Sequence, residues 1–143
     1  MKTPQIVIDT NVIVAAFHSQ HGASYKLLSL LLKGKLCQMN VSSALILEYE
    51  EVLKREEILI KLNESEIDEL IDIICVLAKR HSLRHFDWRP ISKDPDDDFL
   101  ANLAINAKAD AIITFNKSDF KALSKFGVNV ITPHELLIQM KVV

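Results

Sequence analysis

Short apolar runs recur along the chain with helix-length segments between them, and that alternation constrains the fold more than any other feature of the sequence. Ile6-Val7-Ile8 is β-branched and stops abruptly at Asp9-Thr10-Asn11. Residues 36–41, Ala111 to Phe115 and Val128 to Ile131 repeat the pattern. Short runs of this kind, bounded by polar or turn-forming residues, read as strands. Strands that alternate with helices imply a parallel sheet covered on both faces, here a three-layer α/β/α sandwich. The 143 residues suffice for one such domain, and residues 1–143 are read as a single unit.

The intervening segments carry helix signals. A helix over about residues 22–33 is expected to stop at Gly34, and Ser42 or Ser43 to cap another that runs to Arg55. Ile67, Leu70, Ile71, Ile74, Leu77 and Ala78 form one apolar stripe, with Glu64, Glu66, Asp68 and Glu69 at its start and Lys79, Arg80 and His81 at its end. A further short strand is expected near Leu83 to Phe86. Asp94-Pro95 reads as an N-cap and first helical position, ahead of Leu100, Ala101, Ala104 and Ala107. Ser118 to Lys125 reads as a short helix, and Thr132-Pro133-His134-Glu135 opens a last one with a capping box.

Composition excludes several functions. Lys and Arg total 17 against 19 Asp and Glu, so no global positive field draws in nucleic acid, and any such binding needs local patches or bound cations. The three glycines are isolated, which leaves no glycine-rich phosphate cradle. Cys37 and Cys75 form no CxxC and fit buried thiols in a reducing compartment. No apolar run reaches the roughly 18 residues of a membrane span, and Asp9 interrupts the first one too early for a signal peptide. A soluble, cytoplasmic protein is expected.

Acidic residues carry the chemistry. Ligands of open parallel sheets gather at the carboxyl ends of the strands, where the first strand places Asp9. Asp119 follows the Ala111–Phe115 strand closely enough to reach the same edge. At about 100° per residue, Glu48 lies beside Leu45 and Val52 at the edge of its helix's apolar stripe. Asp97 precedes Leu100, Ala101 and Ala104 on one face, while Asp98 is turned away. Each acid has a plainer role open to it, since strand-end and helix-start aspartates also form turns and caps. Converging carboxylates without a counter-charge raise one another's pKa. An oxygen-only set suits Mg²⁺ or Mn²⁺ and metal-assisted phosphodiester hydrolysis.

Ile8-Asp9-Thr10-Asn11-Val12, Ser43 five residues before Glu48, the Asp94–Asp98 run entering a Leu/Ala helix, and Asn116-Lys117-Ser118-Asp119-Phe120 together resemble the PIN domain family, over essentially the whole chain. The resemblance is to single-domain members similar to the VapC toxins of toxin–antitoxin pairs. It implies a metal-dependent endoribonuclease with a parallel sheet in the order 3-2-1-4-5. By motif position it implies Asp9, Glu48, Asp97 and Asp119 as the catalytic and metal-binding acids, with Thr10, Asn11 and Asn116 in support. The run Asp96-Asp97-Asp98 lets the third acid slide by one position, and helix phase favours Asp97. A small antitoxin partner and an RNA substrate, single-stranded or structured, follow from the same likeness.

Weaker features surround this set. Lys79, Arg80, Arg84, Arg89 and Lys93 interleave with His81, His85, Phe86 and Trp88, a mix that suits RNA or an ordinary solvated loop. Lys117, Lys121 and Lys125 recur every four residues as a second basic stripe. Lys117, Lys121, Arg84 and Arg89 are thus candidate substrate contacts. Leu27 to Leu32 is apolar enough to pack under the sheet or to join a homodimer or antitoxin surface. Two other readings compete with the nuclease. One is a receiver-like phosphoacceptor domain using Thr114 and Lys117, which lacks an acid at the end of the second strand. The other is an inactive PIN-like module that binds RNA or protein.

Overall fold

The computed structural model describes residues 3–55, 61–82 and 95–142, with the backbone alone described at 95–98. Ile6, Val7 and Ile8 of β1 (Gln5–Ile8) are all buried, so the strand has no solvent face. Burial on both faces is the mark of an interior strand in a parallel sheet. Strand β1 pairs in parallel with β2 (Gln38–Ser42) on one side and β4 (Ala111–Ile113) on the other. Beyond them, β3 (Lys79–His81) pairs with β2 and β5 (Asn129–Ile131) with β4, again in parallel. The order is β3-β2-β1-β4-β5, the 3-2-1-4-5 sheet that the resemblance implies. Ile8 stands opposite Ile113 and Ile113 opposite Ile131, which brings the carboxyl ends of β1, β4 and β5 level.

Two groups of helices cover the sheet. In one, α1 (Thr10–His18) packs on α2 (Ala23–Leu32) and α3 (Ser43–Arg55); α3 packs on α4 (Glu64–Leu77), and α2 on α6 (Pro133–Gln139). In the other, α5 (Pro95–Asn106) packs on a 3₁₀ segment, Lys117–Phe126. The ends of these elements follow local chemistry. The Ser42 hydroxyl accepts from the Leu45 N–H at the start of α3. Complete capping boxes, Asn63 with Glu66 and Thr132 with Glu135, open α4 and α6. Gly34 takes a left-handed φ of 73° just past α2, where a side chain would be strained. Leu27, Leu28 and Leu31 are buried and Leu30 and Leu32 half-buried, so the leucine-rich run is core. Among the described residues no helix is long and apolar enough to cross a membrane.

Two local expectations need correction, and one element has no counterpart among them. Residues 10–18, where Val12, Ile13 and Val14 have weak helix propensity, carry no assignment from the sequence, yet they form α1 with Val12, Ile13 and Ala16 buried. Tertiary burial outweighs that weak local preference. The third strand lies at Lys79–His81, residues expected to end α4; the 83–86 segment expected to form it lies outside the described residues. The segment after β4 is a 3₁₀ helix with a kink at Phe120. At about 120° per residue, positions four apart no longer align, so Lys117, Lys121 and Lys125 form no straight stripe.

One buried polar side chain ties three strands together. Asn40 in β2 is 1% exposed. Its Nδ2 donates to Gln5 Oε1 at 3.0 Å and to the Ile6 and Gln38 carbonyls, while its Oδ1 accepts from His81 Nε2 at 2.7 Å. Burial, with Lys79 nearby, holds the His81 pKa below its usual value. Asn40→Ala removes the hub and leaves the Gln5 and His81 partners unmatched. It is expected to cost about 2–4 kcal/mol in urea unfolding.

Candidate active site at the carboxyl edge of the sheet

Asp9 follows β1 directly and is the N-cap residue of α1. Its N–H donates to the Ile113 carbonyl at 2.9 Å, and its own carbonyl accepts from the Val12 N–H at 3.0 Å. The backbone therefore holds the half-buried carboxylate at the junction of β1, β4 and α1. Thr114, fully buried just after β4, donates its hydroxyl to Asp9 Oδ2 at 2.7 Å. The same hydroxyl accepts from the Asn116 N–H at 3.0 Å, which links the start of the 3₁₀ segment to Asp9 through one side chain.

Burial is the largest influence on Asp9 and pushes its pKa up; the Asp119 charge pushes the same way. The Thr114 hydroxyl and the α1 backbone N–H groups of Thr10 and Asn11 act in the opposite direction, though neither N–H makes a cap hydrogen bond. Among the described residues no ion pair involves Asp9 or Asp119.

The second acid arrives on α3. Thr10 is buried and donates its hydroxyl to Glu48 Oε2 at 2.6 Å. Next to Glu48, the fully buried Tyr49 donates its hydroxyl to the Ile8 carbonyl, which pins α3 to the end of β1. Its phenol pKa is raised well above normal by burial first, then by Asp9 and Glu48. Asp119 thus acts on Asp9, and Asp9 and Glu48 act together on Tyr49. Asn11 adds a side-chain oxygen, Oδ1, that is buried with no hydrogen-bond partner among the described residues.

The remaining predicted site residues divide. Asn116 is exposed and precedes the 3₁₀ segment, and its carbonyl accepts from the N–H of exposed Asp119. Asp97 lies in the first turns of α5, and every residue from Leu100 to Ala104 is buried, Leu100, Ala101 and Ala104 among them. Its side chain lies outside the described residues, as do Arg84 and Arg89 altogether. Lys117 Nζ is bound to Glu135 Oε1 at 2.8 Å, and this bond is the chief reason the Glu135 pKa is lowered. Lys121 is exposed.

Sequence reasoning missed Thr114 and Tyr49 as parts of this centre. Thr114 replaces an expected apolar residue at the end of a fully buried strand, which is the one signal that could have found it.

Among the described residues the donor set fits a hard divalent cation in kind: carboxylates, an amide oxygen with no hydrogen-bond partner there, and no imidazole or thiol. Among the described residues no group of three or more His, Cys, Asp or Glu side chains is arranged to hold a metal ion. The two cysteines stand apart as free, half-buried thiols, with burial pushing Cys37 up to about 11.

No curated protein matches the chain closely enough to count as a relative. The family description "PIN domain" matches residues 5–118, from the first residue of β1 into the 3₁₀ segment and across every predicted site residue except Asp119 and Lys121. With that span, the 3-2-1-4-5 parallel sheet and Asp9 at its carboxyl edge, this chain belongs to the PIN domain family.

Proposed function

We propose that this protein is an Mg²⁺- or Mn²⁺-dependent endoribonuclease that hydrolyses RNA phosphodiester bonds, and that it serves in the cytoplasm as the toxin of a toxin–antitoxin pair. PIN domains are nucleases in general, so the family supports hydrolysis of nucleic acid. The observation that carries the reading is Asp9: a carboxylate pushed toward its neutral form by burial and by Asp119, with no cationic partner among the described residues. A carboxylate destabilised in this way marks a functional-site candidate, and a bound cation would relieve it.

In this reading Asp9, Glu48, Asp97 and Asp119 hold the ion. When bound, it polarises a phosphoryl oxygen and acidifies a water. Thr114 orients Asp9 and favours its charged form, and Thr10 orients Glu48 through its hydroxyl. Asn11 offers Oδ1 to the ion or its hydration shell, and Asn116 fixes the Thr114 hydroxyl. Lys121, Arg84 and Arg89 are candidate phosphate contacts, and Lys117 joins them once it leaves Glu135. A small antitoxin and a second copy of the chain are the proposed protein partners.

The receiver-like alternative loses ground on topology. Receivers use the order 2-1-3-4-5, whereas β1 here sits between β2 and β4. Incubation of defined RNAs with the protein in Mn²⁺ and in EDTA tests the nuclease. Internal cuts with Mn²⁺ alone are expected, and intact RNA in both would leave the inactive binding module. For the toxin role, induction in bacteria should arrest growth with wild type and not with Asp9→Asn.

The acidic run yields a sharper prediction. Asp97→Asn should lower the cleavage rate at least tenfold more than Asp98→Asn, because Asp97 alone shares a face with buried Leu100, Ala101 and Ala104, a barrier difference of about 1.4 kcal/mol. Equal losses in single-turnover assays would defeat the helix-phase argument.

A further inference from the structure

We propose that Phe115 is a base-stacking platform at the carboxyl edge of the sheet, a subsite that holds one unpaired nucleobase of the substrate. The inference rests on the nuclease reading and adds to it a residue that binds the substrate.

Phe115 departs from its surroundings. Ile113 and Thr114 are fully buried, yet the next residue, Phe115, is 49% exposed. Of the exposed large apolar side chains among the described residues, Phe115 alone stands between two residues of the proposed site, Thr114 and Asn116. A half-exposed phenyl ring forgoes stabilisation that burial would supply. Core packing therefore does not explain its position.

The backbone beneath the ring is held firmly. The Thr114 N–H donates to the Ile131 carbonyl at 2.9 Å, its hydroxyl donates to Asp9, and the Asn116 N–H returns to that hydroxyl. Both peptide neighbours of Phe115 are thus tied to Asp9, which sets the platform at a fixed offset from the acids.

The chemistry of the ring selects the ligand. Phenylalanine has no donor or acceptor, so it recognises a partner through its flat face, and any nucleobase presents one. Within a duplex both faces of a base are covered by its stacked neighbours, so only an unpaired or splayed base can lie on the ring. Phosphates on either side of such a base would find cations nearby. Lys117, Ser118, Lys121 and Ser124 line a cleft of about 320 Å³ that starts two residues along the chain from Phe115, with Lys117 held there by Glu135.

The test compares wild type with Phe115→Ala, Phe115→Leu and Phe115→Trp, against one labelled RNA presented single-stranded and annealed to its complement. Binding is read by fluorescence anisotropy in EDTA, and KM and kcat for cleavage are read in Mn²⁺. Alanine and leucine should each weaken single-stranded binding roughly five- to a hundredfold and raise KM in step. Tryptophan should restore both, and duplex binding should not move. Thermal melting checks that the variants fold. Should Phe115→Ala bind and cut single-stranded RNA as wild type does, or weaken duplex binding equally, the stacking subsite is refuted and the nuclease reading stands. If wild type neither binds nor cuts any RNA, the nuclease reading itself is refuted, and the subsite with it.

Discussion

Asp9→Asn is expected to abolish RNA cleavage, by a factor of at least about 10² in rate, while the fold stays intact. The backbone that positions residue 9 does not depend on the charge. Its N–H to the Ile113 carbonyl and its carbonyl to the Val12 N–H are main-chain bonds, and an asparagine Oδ1 can still accept from Thr114. What the substitution removes is the negative charge at the junction of β1, β4 and α1. Cleavage at wild-type rate in saturating Mn²⁺ would exclude Asp9 from the centre, whatever the melting curve shows.

The same substitution should have the opposite effect on stability. Burial and Asp119 raise the Asp9 pKa above its ordinary 3.8, so the charged carboxylate is a native-state strain that the unfolded chain does not feel. The sign follows from proton uptake. The folded protein holds the Asp9 proton more tightly, so this group's contribution to stability is fully present below 3.8 and is lost as the pH rises through the raised folded value. At neutral pH in EDTA, Asp9→Asn should therefore melt higher than wild type, and the gap should close as the solution is acidified toward pH 3.8.

Mn²⁺ should act on wild type alone. A ligand that binds only the folded state stabilises it by about 2.7 kcal/mol at a hundred times Kd, which is roughly 10 °C for a chain of this length. The Asp9→Asn variant should show little of that rise. A wild type insensitive to Mn²⁺, together with an Asp9→Asn variant that melts lower in EDTA, would make the acids helix caps and hydrogen-bond partners.

The legibility of this chain varied with the range of the interaction that decides each feature. Caps were partly readable because their partners lie within four residues: Thr132 with Glu135 is present as expected and Ser42 caps α3, though the equally local box of Asn63 with Glu66 was not read. Helix phase was readable for the same reason, and the residues expected inside on α4, Ile67, Leu70, Ile71 and Ile74, are buried. Local rules failed where two of them competed. Residues 10–18 offered β-branched side chains against helical spacing, and Lys79–His81 offered a dipole-complementing helix end against a strand. In both places packing against distant segments chose the outcome, α1 against α2 and α3, and β3 against β2.

The sequence by itself determined that an acid follows the first buried strand, that further acids follow at intervals matching PIN motifs, and that strands alternate with helices into a parallel sheet. Those are properties of composition, period and order, which a chain carries before it folds. Only the tertiary structure decided what each acid meets. Thr114 reaches Asp9 across 105 positions, and Thr10 reaches Glu48 across 38. The pKa of Asp9 is set by the burial and the Asp119 charge that this convergence creates. The 3₁₀ geometry that breaks up the lysine stripe and the pairing of Lys117 with Glu135 belong to the same level. The reason is physical: hydrogen bonding and desolvation depend on distances of a few ångströms, and between residues far apart in the chain those distances exist only after the sheet has formed.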